Sequence, residues 1–175
     1  MSLSRPSIVA AARGILDAYG LADLSMRRVA DALGVQAGAL YHHVPNKQSM
    51  LSAISDDVLA TLTEPTSLAG WAHDYRQVLL GCRDGAELVA SSRALGLGEV
   101  DPTLPAQRFV GPDHHDVITV IEHYVLGATM QDQTRAQMAG LGVIDHFDAE
   151  AADATFARGI ELLVDGAGIT IERMA

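Results

Sequence analysis

This sequence offers almost nothing from which to build a disulfide scaffold, a membrane span or a sheet. It holds one cysteine in 175 residues, which excludes an internal disulfide framework and suits a reducing compartment. No apolar run approaches the roughly 20 residues that span a bilayer. The N-terminus has no basic region leading into an uninterrupted apolar stretch, so no signal peptide and a cytoplasmic location are expected. Strand-type alternation, internal repeats and low-complexity tracts are also missing. There is no nucleophile–base pair, no metal triad and no phosphate-cradling glycine loop, so neither catalysis nor a cofactor is expected. What remains is helical periodicity on a chain that is 49% hydrophobic, enough for a substantial core. The fold class that follows is all-α.

Positive charge is scarce too, and its distribution matters more than the net −10. Residues 1–50 hold five basic residues against three acidic ones. The remainder holds seven against nineteen. A slightly positive head on an acidic body directs one end towards phosphates and repels polyanions from the rest. The small basic excess implies modest, salt-sensitive affinity for nucleic acid.

The head is organised around residues 24–51, LSMRRVADALGVQAGALYHHVPNKQSML. Ser25 can cap a helix running to Leu33, with Met26, Val29, Ala30 and Leu33 on one apolar face. Gly34 supplies a left-handed turn residue. A second helix is expected from Gln36 to His43, with Val35, Ala39 and Leu40 packing back on the first, and Pro45 stops it. Asn46 can cap the next helix. A brace helix is expected upstream from Pro6 to Tyr19, with Ile8, Ala12, Ile15, Leu16 and Tyr19 inward. This is the logic of a helix-turn-helix, whose second helix enters the major groove. Gln36, at its start, can pair with adenine, and Ala37 and Ala39 are small enough to touch a thymine methyl. Arg28 is either a phosphate contact or a solvated side chain, and His42 is a surface position of the same ambiguous kind. Lys47 opens the next helix, where backbone N–H groups and an ammonium can hold one phosphate. Gly38 weakens the recognition helix by about 1 kcal/mol relative to alanine. So few long side chains there imply a large share for DNA shape.

The body is expected to start with a connecting helix over 47–62, carrying Met50, Leu51, Ile54, Val58 and Leu62. Ser67 then caps a helix bearing Leu68, Trp71, Tyr75, Val78 and Leu79. Asp84 with Glu87 has capping-box spacing. Residues 92–112 lose all periodicity, with one short helix possible around 106–110 or a flap. A long helix follows over 113–138, apolar around much of its circumference, and a last one over 149–167. The expected division is a DNA-binding domain at 1–46 and a ligand-binding and dimerisation domain at 47–175. His114, His115, Glu122 and His123 cluster in sequence, but no His-x-x-x-His spacing supports a metal site. Cys82, on an apolar stripe, reads as inert core.

The tokens Val29-Ala30, Leu33-Gly34-Val35, Leu40-Tyr41, His43-Val44 and Asn46-Lys47 resemble the DNA-binding segment of the TetR family. Arg83-Asp84-Gly85-Ala86, Tyr124-Val125-Leu126-Gly127 and Asp132-Gln133 resemble the body of its tetracycline-responsive members. The resemblance implies that Arg27 reaches a base, that Tyr41 and His43 hold phosphate, and that the last two long helices form half of a dimeric four-helix bundle. It also places Trp71 and Tyr75 where those members contact their drug, although both equally suit core packing. Arg83 or Gln131 would fix a polar group of the ligand. The positions that hold the drug's magnesium in those members are Val89 and Gln131 here. Valine cannot coordinate and a neutral amide is a poor ligand for a hard cation, so tetracycline is not the expected effector. The expectation is a ligand-responsive regulator: a homodimer on a double-stranded palindromic operator, released by a small molecule. The alternatives are a small-molecule-binding or catalytic helical protein with an incidental helix-turn-helix, and a DNA-binding dimer with no effector.

Overall fold

The computed structural model describes residues 3–168, and all regular structure among them is helical. Eight α-helices run α1 Arg5–Tyr19, α2 Met26–Leu33, α3 Ala37–Leu40, α4 Lys47–Leu59, α5 Leu68–Leu80, α6 Gly85–Ala94, α7 His115–Gly140 and α8 Ala149–Gly166. No described helix is long and apolar enough to cross a membrane. The chain forms two compact units. One contains residues up to Thr61 together with Leu79–Val100; the other contains Leu62–Val78 together with residues from Asp101 onward.

In the first unit, local capping chemistry starts the helices. Ser4 and Ser7 form a reciprocal capping box at α1. The Ser25 hydroxyl accepts from Arg28 N–H at 3.2 Å, and Asn46 Oδ1 accepts from Ser49 N–H at 2.8 Å. Gly34 takes the left-handed φ of 68° that turns α2 into α3, a conformation that a β-carbon penalises. Leu24, Val29, Ala30, Leu40 and Val44 close the core beneath. Tyr19 is an exception to its expected inward stripe: it is 53% exposed, and its ring lies under the Arg28 guanidinium, 4.0 Å from the centroid.

α4 packs against both α1 and α6. Contact on two sides explains why it buries Ser52, Ala53 and Ser55 as well as Met50, Ile54 and Val58. The expected single apolar stripe is too narrow; Leu51 is half-buried, and the helix ends at Leu59, before Leu62. At α6 the expected capping box does not form. Asp84 makes no cap hydrogen bond, because it sits at a φ of 55° and its carboxylate accepts from Leu21 N–H at 2.7 Å.

In the second unit the Ser67 hydroxyl caps α5 through Gly70 N–H at 2.9 Å. Residues 92–112 are partly ordered: α6 continues to Ala94 and a 3-10 turn spans Leu104–Phe109. A second such turn, Pro112–His114, delays the start of α7 to His115. The buried stripe of α7 is Ile118, Ile121, Glu122, Val125, Leu126 and Thr129, while Val117, Tyr124 and Ala128 are only half-buried. None of residues 130–140 is buried.

Candidate nucleic-acid interface and effector end

The recognition element is shorter than its sequence pattern predicts. α3 covers only Ala37–Leu40, and Tyr41, His42 and His43 form a turn instead of a further helical turn. Gly38 lowers helix propensity from within, and Pro45 disfavours helical backbone just before it. The fully buried Leu40, with Val44 behind it, pins the segment to the core. Gln36, Gly38, Tyr41, His42 and His43 consequently face solvent, while Ala37 and Ala39 are half-exposed. Gln36 occupies the N-cap position but makes no cap hydrogen bond, so its amide is not engaged by the helix it begins. Lys47 is the first residue of α4, beside that helix's free N–H groups.

The two arginines of α2 differ. Arg27 is exposed, with no ion-pair partner among the described residues. Arg28 is partly exposed but not free: its Nη1 lies 2.6 Å from Asp23 Oδ1, and its guanidinium covers Tyr19. To reach phosphate it must leave that carboxylate.

The five residues expected at a ligand fall in different units. Trp71 and Tyr75 are fully buried in the second, with rings tilted at 5.8 Å, and the Trp71 indole N–H donates to Pro102 O at 2.7 Å. Gln131 is exposed on α7. Val89 is fully buried in the first unit, and Arg83 there donates to Ala18 O at 2.9 Å. The second unit contains a cavity of about 650 Å³ between α7 and α8, lined by Tyr124, Gln131, Asp132, Arg135, His146 and Phe156 among others. That volume suits a small organic molecule. Tyr124 stacks on Phe156 at 5.5 Å. Burial pushes the Tyr124 phenol up, Arg76 opposes that, and Asp132 adds to it.

Arg76 lies directly behind this wall. It is only 2% exposed, 2.9 Å from Asp132 and 2.8 Å from Asp153, with its guanidinium 4.6 Å from the Phe156 ring centroid. A cation so buried needs such pairing. Sequence reasoning passed over it, because its acidic partners lie on two other helices and no local spacing joins them. The histidine cluster does not converge: His114, His115 and His123 are exposed, whereas Glu122 is buried. No group of three or more metal-ligating side chains gathers among the described residues. Cys82 is buried, and burial raises its thiol to about 11, with Arg13 opposing and Asp17, Asp84 and Asp57 adding to the rise.

A helix-turn-helix that exposes a short reading segment, carried on a helical body, defines a DNA-binding regulator. Residues 8–54 match the family model described as bacterial regulatory proteins, tetR family. Over 191 aligned residues the chain is 30% identical to the class A tetracycline repressor of transposon 1721 from Escherichia coli, covering 91% of this chain and 88% of that one. The crystal structure of Mycobacterium smegmatis BioQ superposes with a TM-score of 0.82 at 37% identity, covering 95% and 98% of the two chains. BioQ with its natural double-stranded DNA operator gives 0.79 at 35% identity and the same coverage. The chain belongs to the tetR family of bacterial regulatory proteins. It is a DNA-binding regulator of transcription.

Proposed function

We propose that a homodimer of this chain reads a palindromic operator with α3 and the start of α4, and that a small molecule bound in the body releases it. The observation that carries this reading is the exposed run from Gln36 to His43, held by the buried Leu40 and Val44 and followed by Lys47 at a capped helix N-terminus. Gln36 supplies base recognition, with Arg27 on α2 as a second base contact and with Ala37 and Ala39 as close apolar contacts. Tyr41, His43 and Lys47 supply phosphate contacts, with His42 and Arg28 at the margin. Residues 1–46 carry the reading function and 47–175 ligand binding and dimerisation, with 47–61 and 79–100 packed in the same compact unit as the reading residues. One such head reads few base pairs, so specificity requires two.

The dimer forms through α7 and α8. Val120 and Leu162 are half or more exposed on these helices, and none of the last eleven residues of α7 is fully buried. The effector is not a tetracycline–magnesium chelate, given Val89 and Gln131. Gln131 has the best support as a ligand residue, since it lines the cavity. Trp71 and Tyr75 do not line that cavity, and Arg83 donates to Ala18 O. The protein works where its DNA lies, in the cytoplasm.

Selection of duplexes from a random pool tests the operator reading. Enriched fragments are expected to carry inverted half-sites centred about 34–36 Å apart, or a multiple of that. No enrichment, or enrichment of single half-sites by a monomer, refutes it.

A further inference from the structure

We infer that Asp56 is a positioning residue for operator binding: its carboxylate clasps the loop after α6 and thereby fixes the direction in which α4 carries the reading head. This rests on the dimer–operator reading above.

Asp56 lies in the last third of α4 and is half-buried. Its Oδ1 accepts from Glu99 N–H at 2.9 Å and from Val100 N–H at 3.0 Å. Two successive backbone N–H groups converging on one oxygen form a small anion-holding nest. The loop is shaped for this. Gly98 has a φ of 122°, which residues with a β-carbon rarely adopt. A β-carbon added there would come within 3.1 Å of the same Asp56 oxygen. The Ser92 hydroxyl donates to Leu97 O at 2.7 Å and holds the loop's entry. The two N–H contacts to Asp56 bear directly on α4, and the Ser92–Leu97 bond braces the loop that makes them.

The geometry gives the clasp leverage. Nine residues separate Asp56 from Lys47, about 13 Å along a helix, so tilting α4 by roughly 10° about the clasp displaces Lys47 by roughly 2 Å. In a dimer both heads shift, and their separation is what a palindrome measures. The clasped loop ends at Val100, where the chain leaves the first unit for the second.

The test uses the full chain and the operator obtained by selection. Three duplexes serve as probes: the operator, the operator with one base pair added between its half-sites, and a random-sequence duplex. Asp56→Ala removes the clasp from the helix side. Gly98→Ala disrupts it from the loop side and leaves the charge in place. Asp56→Asn keeps an acceptor oxygen and should rescue part of the effect. Asp56→Ala and Gly98→Ala are expected to bind the operator about tenfold more weakly. They should discriminate less against the altered spacing and bind random duplex as the unsubstituted chain does. The inference is overturned if both variants keep the original affinity and spacing preference, or if specific and random binding fall together. Should Asp56→Ala not fold, Gly98→Ala decides alone. If the unsubstituted chain shows no spacing preference, the dimer reading fails, and this one with it.

Discussion

Replacing Asp23 by asparagine should tighten DNA binding, and the structure fixes roughly how much. Arg28 is held by Asp23 at 2.6 Å, with 37% and 55% of the two side chains exposed. An ion pair this accessible is worth about 0.2–1 kcal/mol. That energy opposes transfer of the guanidinium to a phosphate, and in a dimer it opposes it twice. Asp23→Asn removes the competition in both heads, so operator affinity at low salt should rise by up to about 2 kcal/mol, or roughly thirtyfold. If each released Arg28 gains a phosphate, the slope of log K against log salt should steepen by about 0.9 per contact, close to two for the dimer. Fluorescence anisotropy of labelled operator over a salt series measures both quantities. Arg28→Ala is the control: in that background Asp23→Asn should have little effect, since the two changes form a double-mutant cycle. An unchanged affinity and slope in Asp23→Asn would show that Arg28 does not reach the backbone and that its pair is only a surface contact. An equal gain with Arg28 absent would assign the effect to net charge alone.

Three further outcomes follow from the packing. Gly159→Ala would put a β-carbon 2.0 Å from the Tyr124 hydroxyl oxygen, so the Tyr124–Phe156 stack must shift; a loss of about 1–3 kcal/mol is expected in urea unfolding. Trp71→Phe leaves Pro102 O without its indole donor and opens space in a fully buried site. It should cost about 2–4 kcal/mol by the same measurement, and less than 1 would show that Trp71 is not structural. Cys82 is raised from 9.0 to about 11 in the folded chain. Its contribution is therefore intact below pH 9 and is lost as pH rises from 9 to 11, because only the unfolded thiol ionises in that window. The loss should reach about 2–3 kcal/mol, and Cys82→Ala should lack this component of the alkaline decline.

The parts of the fold that sequence made legible are those governed by neighbours along the chain. Ser25, Asn46 and Ser67 cap the helices expected of them because a cap is a three-residue arrangement. Gly34 and Pro45 punctuate as their backbone preferences dictate. Asp84 shows the limit: its spacing to Glu87 is that of a capping box, but the amide of Leu21 claims the carboxylate. Arg28 has the same lesson, with Asp23 and Tyr19 engaging a side chain that spacing alone left free. Arg76 was invisible because its two carboxylates come from α7 and α8. The clasp on Asp56 depends on backbone N–H groups and a glycine conformation, neither of which composition encodes. The reading face was legible because the helix-turn-helix is itself a local code. The cavity was not, because it is a gap between α7 and α8 lined by residues from both helices.

α4 has neighbours on two flanks, and even its serines lie inside. Such a helix offers few sites where sequence can drift without consequence. Change in the lineage of this protein should accordingly accumulate elsewhere, around the cavity of the second unit and on the exposed side of α3. New operators and new inducers could then be acquired separately, with α4 kept nearly constant.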